Sequence, residues 1–438
     1  MKLERPVSSI VPKPPNSKPS RAKRLENVAC PFCSLLCDDL TLTVSGDTHR
    51  VVKNGCPQAT SGFGRPYRSA PATIDGQPAS QTAAVAAAAR ILQRARRPLI
   101  SGLATDVEGM REAVHLAEKS RAILDSADST SFDHNVRVLQ SRGWYMTTLA
   151  EIRNRSDLVV IVGADIVHHY ANFLRRVIAP KHALHPRRRR ARRVVYIGAK
   201  AAAPATTAAL NIECLACDPT RIAEVIGVLR ALIAGRTIHA ARVAKARIRQ
   251  INDLAKAITA AEYPVFVWAP AHFTGAPADL AIQAITRLVD DLNQTQRAAG
   301  LSLGGDHGGM SAANVCTWLT GYPLHVSFGA KHLDYDPIQY RTARLLEDDA
   351  IDTLVWIDAF GQAAPPPTRR EVKRIIIGLP GSHAAITANV FIPIGTPGVD
   401  HRGSLIRTDS VVTIRLDQVR PNAAPSVRGI VHDIVAQL

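Results

Sequence analysis

The sequence predicts an α/β fold of two αβα units with mainly parallel sheets, joined to a small N-terminal lobe carrying four cysteines. Three observations lead there. Short apolar runs bounded by turn residues, such as Leu158-Val-Val-Ile-Val162 before Gly163, read as strands buried on both faces. Helical patterns separate most of these runs, the order of a parallel sheet with crossover helices. Cys30, Cys33 and Cys37 precede Cys56 around an alternating segment, Leu40-Thr-Leu-Thr-Val44, whose turn is Ser45-Gly-Asp47. At 438 residues the chain exceeds the ~250–300 at which single cores stop growing, so more than one packed unit is expected.

Taken in order, the first 24 residues hold seven Lys or Arg against Glu4, with five prolines. They read as a disordered basic tail without the apolar segment of a signal peptide. After the cysteine lobe the patterns are a helix over 82–96, a strand at 98–100, a helix over 107–119 and a strand at 122–124. Further strands are expected at 194–197, 263–268, 353–357, 374–377 and 390–392, with helices over 219–234 and 240–261. The Ala-rich stretch 201–209, broken by Pro204, reads as a surface connection.

Composition is that of a soluble globular enzyme, 46% apolar and 21% charged, and outside the range of intrinsic disorder. Lys and Arg number 54 against 37 Asp and Glu, a formal charge of +17. Much of the surplus lies in the tail and in Arg187–Arg193, which places six arginines in seven residues. Such a balance raises nucleic-acid binding. No aromatic interleaving or reading helix accompanies the run, so a solvated loop or a contact with an acidic partner subunit is preferred. The charge-free stretch from Tyr263 to Ala278 contains three prolines and falls short of the ~20 residues that cross a bilayer. A cytoplasmic protein with no membrane partner is expected.

The strongest chemical signal is the spacing C-x2-C-x3-C-x18-C of Cys30, Cys33, Cys37 and Cys56. Thiolates are soft ligands, and three in one turn with a fourth returning from a hairpin suit an iron–sulfur cluster or tetrahedral zinc. In a cytosolic chain this clustering argues for metal over disulfide. Buried thiols without metal are the alternative.

Cys30-Pro-Phe-Cys33 followed by Cys37-Asp-Asp39 resembles the N-terminus of the B-type subunit of formylmethanofuran dehydrogenase, in the molybdopterin oxidoreductase superfamily. The likeness continues through Leu149-Ala-Glu-Ile-Arg-Asn-Arg-Ser-Asp157 into Gly163-Ala-Asp165, through Thr317-Trp-Leu-Thr-Gly-Tyr-Pro323 and Tyr335-Asp-Pro337, to Gly403-Ser-Leu-Ile-Arg-Thr-Asp409. It runs from about Cys30 to Leu416 and leaves out the tail and the Arg run. The resemblance implies a molybdopterin-oxidoreductase-like fold whose cysteine quartet holds a [4Fe–4S] cluster, zinc being the alternative. It also implies a tungsten or molybdenum pterin ligated by a cysteine.

Carried onto this chain, Asp125 matches the aspartate before the family's ligand loop and Ser129 its serine. The ligating cysteine falls on Ser131, and the following His-Gly-Pro becomes Phe132-Asp133-His134. Ser131 or Asp133 is then the candidate replacement ligand. Where the family resembles Gly-Ala-Asn-Pro, this chain has Gly163-Ala-Asp165-Ile, a carboxylate that would repel pterin phosphates. Gly163, Asp165 and Gly305 are the candidate cofactor-contacting residues, with molybdopterin expected absent.

The pattern is similar to the B-type subunit of the bacterial formyltransferase/hydrolase complex. That resemblance implies a redox-inactive scaffold for the hydrolase in tetrahydromethanopterin- and methanofuran-linked formaldehyde oxidation. Its partners would be A-type amidohydrolase, C-type and D-type subunits and a methanofuran-like carrier. An active dehydrogenase reducing CO2 onto a formyl carrier is the alternative, and a basic nucleic-acid module the third.

The chain divides accordingly into a tail (1–26), a cysteine lobe (27–67), a discontinuous αβα domain (68–140 and 262–420), a second αβα domain (141–261) and a C-terminal helix (421–438). Among smaller candidates, His168 and His169 point about 100° apart on a helix and suit surface or core contacts better than one metal. Gly304-Gly-Asp-His-Gly-Gly309 lacks the Lys-Ser/Thr of a phosphate loop and reads as a turn. Cys214, Cys217, Cys316, Trp318 and Tyr322 are expected to be packing residues.

Overall fold

The computed structural model describes residues 23–438 apart from 47, 128, 181–182, 184–191, 205–210, 274–277, 330, 362–364, 367, 383–385 and 423, and without the side chains of 129–131. The tail up to residue 22 and most of the Arg187–Arg193 run lie outside the described residues.

Five strands form a wholly parallel sheet in the spatial order Ile212–Ala216, Arg193–Gly198, Leu158–Val162, Pro264–Trp268, Ala299–Ser302. Residue parity decides what each face meets. Val159, Ile161, Val265 and Val267 enter the main core, which also holds Cys30, Cys33 and Cys37. Leu158, Val160, Val162, Phe266 and Trp268 face a second core with helices Ile222–Ile233, Ile248–Ala260 and Ala278–Leu292. Each such aliphatic side chain, fully buried, contributes roughly 1.5–3 kcal/mol.

A nine-stranded mixed sheet runs Asp334–Tyr335, Val326–Ser327, Ile123–Leu124, Pro98–Ala104, Thr353–Asp358, Lys373–Gly378, Val390–Pro393, Ala72–Ile74, Gln77–Ala79. Its central five strands are parallel, and antiparallel pairs flank them on both edges. Helices Gln81–Arg94 and Val107–Ser120 start on side-chain caps: Ser80 accepts from the Ala83 N–H at 3.1 Å and Asp106 from the Gly109 N–H at 3.0 Å. Helix Val427–Val435 packs on both. The cysteine lobe is an antiparallel sheet of Lys23–Val28, Leu40–Ser45 and Thr48–Lys53.

Four expectations shift. The lobe begins at Lys23, because Lys23, Arg24 and Leu25 pair with the strand Leu40–Ser45. The chain does not return to the first unit at 262: Pro264–Trp268 and Ala299–Ser302 pair into the five-stranded sheet, since a strand apolar on both faces fits either sheet and only pairing decides. The helix expected over 240–261 starts at Ile248, after a hairpin of Arg242–Val243 and Ala246–Arg247 turned by Ala244 and Lys245, both at positive φ. The C-terminal helix spans Val427–Val435 within the longer segment expected. Among the described residues no helix is long and apolar enough to cross a membrane.

Within the described end of the Arg run, Arg192 is not solvated while Arg193 pairs with Glu213 at the surface. Arg192 is buried and donates to the carbonyls of Ile152, Arg153, Ser156, Val177 and Ile178. Helix ends leave such carbonyls without partners, and a guanidinium fork supplies five N–H groups.

The strand order reverses between Leu158–Val162 and Pro264–Trp268, and the carboxyl ends of these two strands open the crevice where α/β sheets bind ligands.

Candidate functional site

The cysteine motif folds into a closed turn, the Cys30 N–H donating to the Cys37 carbonyl at 2.8 Å. Cys56 precedes helix Pro57–Gly64 and its carbonyl accepts from the Thr60 N–H at 2.9 Å. Cys30, Cys33 and Cys37 are buried and Cys56 is half-buried. Burial pushes the thiols of Cys30, Cys33 and Cys37 up, and neighbouring thiols push further: Cys37 and Cys56 act on Cys30, and Cys30 and Cys37 on Cys33. Two groups favour charge there. The Asn172 side-chain amide points at the Cys37 sulfur from 3.6 Å, and the Arg176 guanidinium, paired with Asp38 and Asp39, opposes the upward push at Cys37 without overcoming burial. Gly62 is required beneath the motif, because a Cβ would stand 2.4 Å from the Phe32 ring. Among the described residues no three His, Cys, Asp or Glu side chains stand at metal-ligating distances.

The segment of the ligand loop is a helix, Ser129–Arg142, and the Ser131 side chain lies outside the described residues. Asp133 is buried, and both its oxygens are engaged. Oδ1 meets the His325 Nε2 at 2.6 Å; Oδ2 accepts from the Arg341 Nε at 3.0 Å and Nη2 at 2.6 Å. Asp125, wholly buried, accepts from the Thr342 N–H at 2.6 Å and its hydroxyl at 2.7 Å, starting helix Thr342–Glu347. Its other oxygen lies 3.1 Å from the His325 Nδ1, a charge contact without hydrogen-bond alignment. Burial alone would lower the His325 imidazole, but Asp125 and Asp133 override it and hold its pKa at about 9. His325 and Leu324 both sit at positive φ, strain that this network over-determines.

At the crevice, Gly163 needs its φ of +66°, and a Cβ there would stand 2.9 Å from Phe273. Its N–H donates to the Ile197 carbonyl at 2.8 Å, and the Asp165 N–H to the His272 Nδ1 at 3.0 Å. Neither amide is therefore open to a phosphate. The Asp165 carboxylate pairs with His168 at 2.8 Å, which holds it below the usual range against its partial burial. His169 lies against His272, ring centroids 4.6 Å apart, so the two adjacent histidines do take separate contacts.

Gly305 sits in a turn pinned at both ends: the Gly304 N–H donates to the Thr408 hydroxyl at 3.2 Å, and Asp306 accepts from the Ser34 N–H at 2.6 Å. Cys316 and Cys217 are buried as expected, and Cys214 is half-buried. Trp318 and Tyr322 are not packing residues. Helix Gly309–Thr320 buries Ala312, Ala313, Val315 and Cys316, which leaves Trp318 63% exposed and Tyr322 stacked on Tyr335 at the surface.

His325, Arg341, Thr342 and Asn172 carry no sequence signal, because each acts across more than 100 positions: 192 separate Asp133 from His325. Two stretches that carry the resemblance also meet, Asp409 accepting from the Leu149 N–H at 3.0 Å.

No family profile matches the chain. It is 30% identical over 339 residues to the B-type subunit of the formyltransferase/hydrolase complex Fhc of Methylorubrum extorquens, covering 76% of this chain and 87% of that protein. It is 25% identical over 405 residues to the B-type subunit of the tungsten-containing formylmethanofuran dehydrogenase 2 of Methanocaldococcus jannaschii, covering 89% and 92%. The crystal structure of the formyltransferase/hydrolase complex from Methylorubrum extorquens with methylofuran contains a chain that matches with a TM-score of 0.71 at 28% identity, over 84% of this chain and 98% of that one. By sequence and by fold, then, this chain belongs to the family formed by the B-type subunits of formylmethanofuran dehydrogenase and of the formyltransferase/hydrolase complex.

Proposed function

We propose that the chain is the redox-inactive B-type subunit of a formyltransferase/hydrolase complex in methanofuran-linked one-carbon metabolism, built on a molybdopterin-oxidoreductase-like fold in the cytoplasm. It scaffolds the A-type amidohydrolase alongside C-type and D-type subunits, and the complex works on a methanofuran-like carrier. One observation carries the reading: Asp133, the carboxylate at the ligand loop, is engaged on both oxygens by His325 and Arg341. A metal cation bound there would stand beside the two cationic groups, His325 and Arg341, that already neutralise this buried carboxylate. The amides of Gly163 and Asp165 are likewise taken, so these residues do not fit a tungsten or molybdenum pterin.

The four cysteines fit a metal by donor chemistry. Their thiols are mutually repelling when charged, and Asn172 and Arg176 offer the compensation that thiolates require. Cys30, Cys33, Cys37 and Cys56 would hold a [4Fe–4S] cluster or zinc, which would tie both ends of the lobe and add binding free energy to folding. Nothing in this reading uses electron transfer.

The test is elemental analysis for Mo, W, Fe and Zn on the natively purified complex, with pterin extraction from the same sample. Neither Mo, W nor pterin, with partner subunits co-purifying, is the expected result. Stoichiometric Mo or W with pterin would overturn it in favour of an active dehydrogenase. Cys33→Ser should lower Fe or Zn content and the melting temperature of the complex together; unchanged values of both would remove the structural metal.

A further inference from the structure

We propose that a cleft of ≈ 270 Å³ beside the segment after helix Pro57–Gly64, with the recess of ≈ 30 Å³ that adjoins it, is a binding site for a small carboxylic acid with a short apolar body. The two spaces share Tyr67, Pro380 and Ile394 in their walls. Pro380 and Ile394 follow the neighbouring parallel strands Lys373–Gly378 and Val390–Pro393, so both spaces lie at strand carboxyl ends, the side on which open α/β sheets bind ligands.

The recess is cationic and has donors to spare. Arg65, Arg68 and Arg420 line it against the carboxylate of Asp400. Asp400 is saturated: Oδ1 accepts from the Arg420 Nη1 at 2.6 Å and the Asn422 amide at 2.8 Å, and Oδ2 from the Thr396 N–H at 2.9 Å. That pair cancels one guanidinium and leaves two. Arg68, exposed beside Gly381, has no hydrogen-bond or ion-pair partner among the described residues. Arg65 donates through Nη1 to the Phe360 carbonyl at 2.7 Å, which leaves its Nε and Nη2 unengaged. The Arg420 side chain is only 5% exposed, yet its Nε has no acceptor while Nη1 and Nη2 are both bound. A buried N–H without an acceptor is costly, and beside two unpaired guanidiniums the acceptor that fits is an anionic oxygen.

Shape selects the class. The recess has room for about two water-sized groups, which suits a planar carboxylate better than a tetrahedral phosphate. The cleft beyond it is walled mainly by apolar side chains, Pro71, Ala72, Ala79, Pro393 and Pro425 among them. Prolines hold that wall in one backbone shape, so little ordering is needed on binding. Charge at one end and apolar surface at the other call for an amphipathic occupant. The site uses none of the residues on which the subunit reading rests, so its failure would leave that reading as it stands.

Calorimetric titration of the full chain with phenylacetate at a constant ionic strength of ~0.15 M tests this, with acetate, phenylacetamide and inorganic phosphate as comparisons. Saturable one-site binding of phenylacetate is expected, about tenfold or more tighter than that of any comparison. Arg68→Gln should weaken it about tenfold. Ala70→Phe, at a half-buried wall position, should abolish it by filling the cleft without removing a charge. Arg249→Gln, at an exposed position on helix Ile248–Ala260, should leave it unchanged. No saturable heat with phenylacetate, wild-type affinity in either cleft variant, or equal loss in Arg249→Gln would overturn the site. Acetate, the amide or phosphate binding as tightly as phenylacetate would overturn its assignment to an apolar acid. Melting curves of each variant confirm that it is folded.

Discussion

The cysteine lobe and the segment around Asp133 are both buried, both polar, and opposite in kind. In the lobe, three buried thiols repel one another once charged, and the groups that would settle them, Asn172 and Arg176, come from the far side of the chain. Around Asp133 the charges already satisfy one another: Asp125, His325, Asp133 and Arg341 form a continuous network. The first leaves its thiols to repel one another once charged, and the second pairs every charge it buries. Buried charges are stable only if they find partners, because an unpaired buried charge costs several kcal/mol.

Breaking the closed network should have the largest effect. Asp133→Ala leaves His325 and Arg341 without their shared carboxylate and should cost about 3–5 kcal/mol in urea unfolding. A loss below about 1 kcal/mol would mean the network is not what holds the segment.

The pH dependence follows with a defined sign. His325 has a folded pKa of about 9, above its ordinary 6.5, so its contribution is fully present below pH 6.5 and is lost as pH rises through 9. The wild type should lose up to about 3 kcal/mol across that window, and His325→Gln should flatten that part of the curve. Parallel curves for the two proteins would place the titrating group elsewhere.

In the lobe, Gly62→Ala drives a methyl into the Phe32 ring between Cys30 and Cys33, and should cost about 1–3 kcal/mol by overpacking. A wild-type melting temperature would show that the motif is looser than its packing suggests.

Asp165→Asn completes the comparison with the smallest change. Its His168 partner is 75% exposed, so the pair should be worth less than about 1 kcal/mol, and the variant should bind no more pterin than wild type. Pterin retention in that variant would make Asp165 the deciding group at the crevice.

Much of the fold was legible because strands buried on both faces announce themselves as unbroken apolar runs. Leu158–Val162 and Val390–Pro393 lie within about a residue of where the runs place them. Sheet membership was not legible. Pro264–Trp268 is as apolar as Thr353–Asp358, yet it pairs with Leu158–Val162 while the latter pairs with Pro98–Ala104. Helix Gly309–Thr320 shows the same limit on the surface: an apolar Trp318 reads as core until the opposite face is seen to be buried.

By itself the sequence determined the alternation of strand and helix and the four-cysteine spacing. These are local, set by periodicity and by residue type at short range. Only the tertiary structure decided that Asp133 is closed off by His325 and Arg341, that Arg192 is an internal cap rather than part of a solvated run, and that Arg65, Arg68 and Arg420 share one recess. Each depends on side chains brought together over long loops. Charge and hydrogen-bond partnership are properties of distance in space, which separation along the chain does not encode.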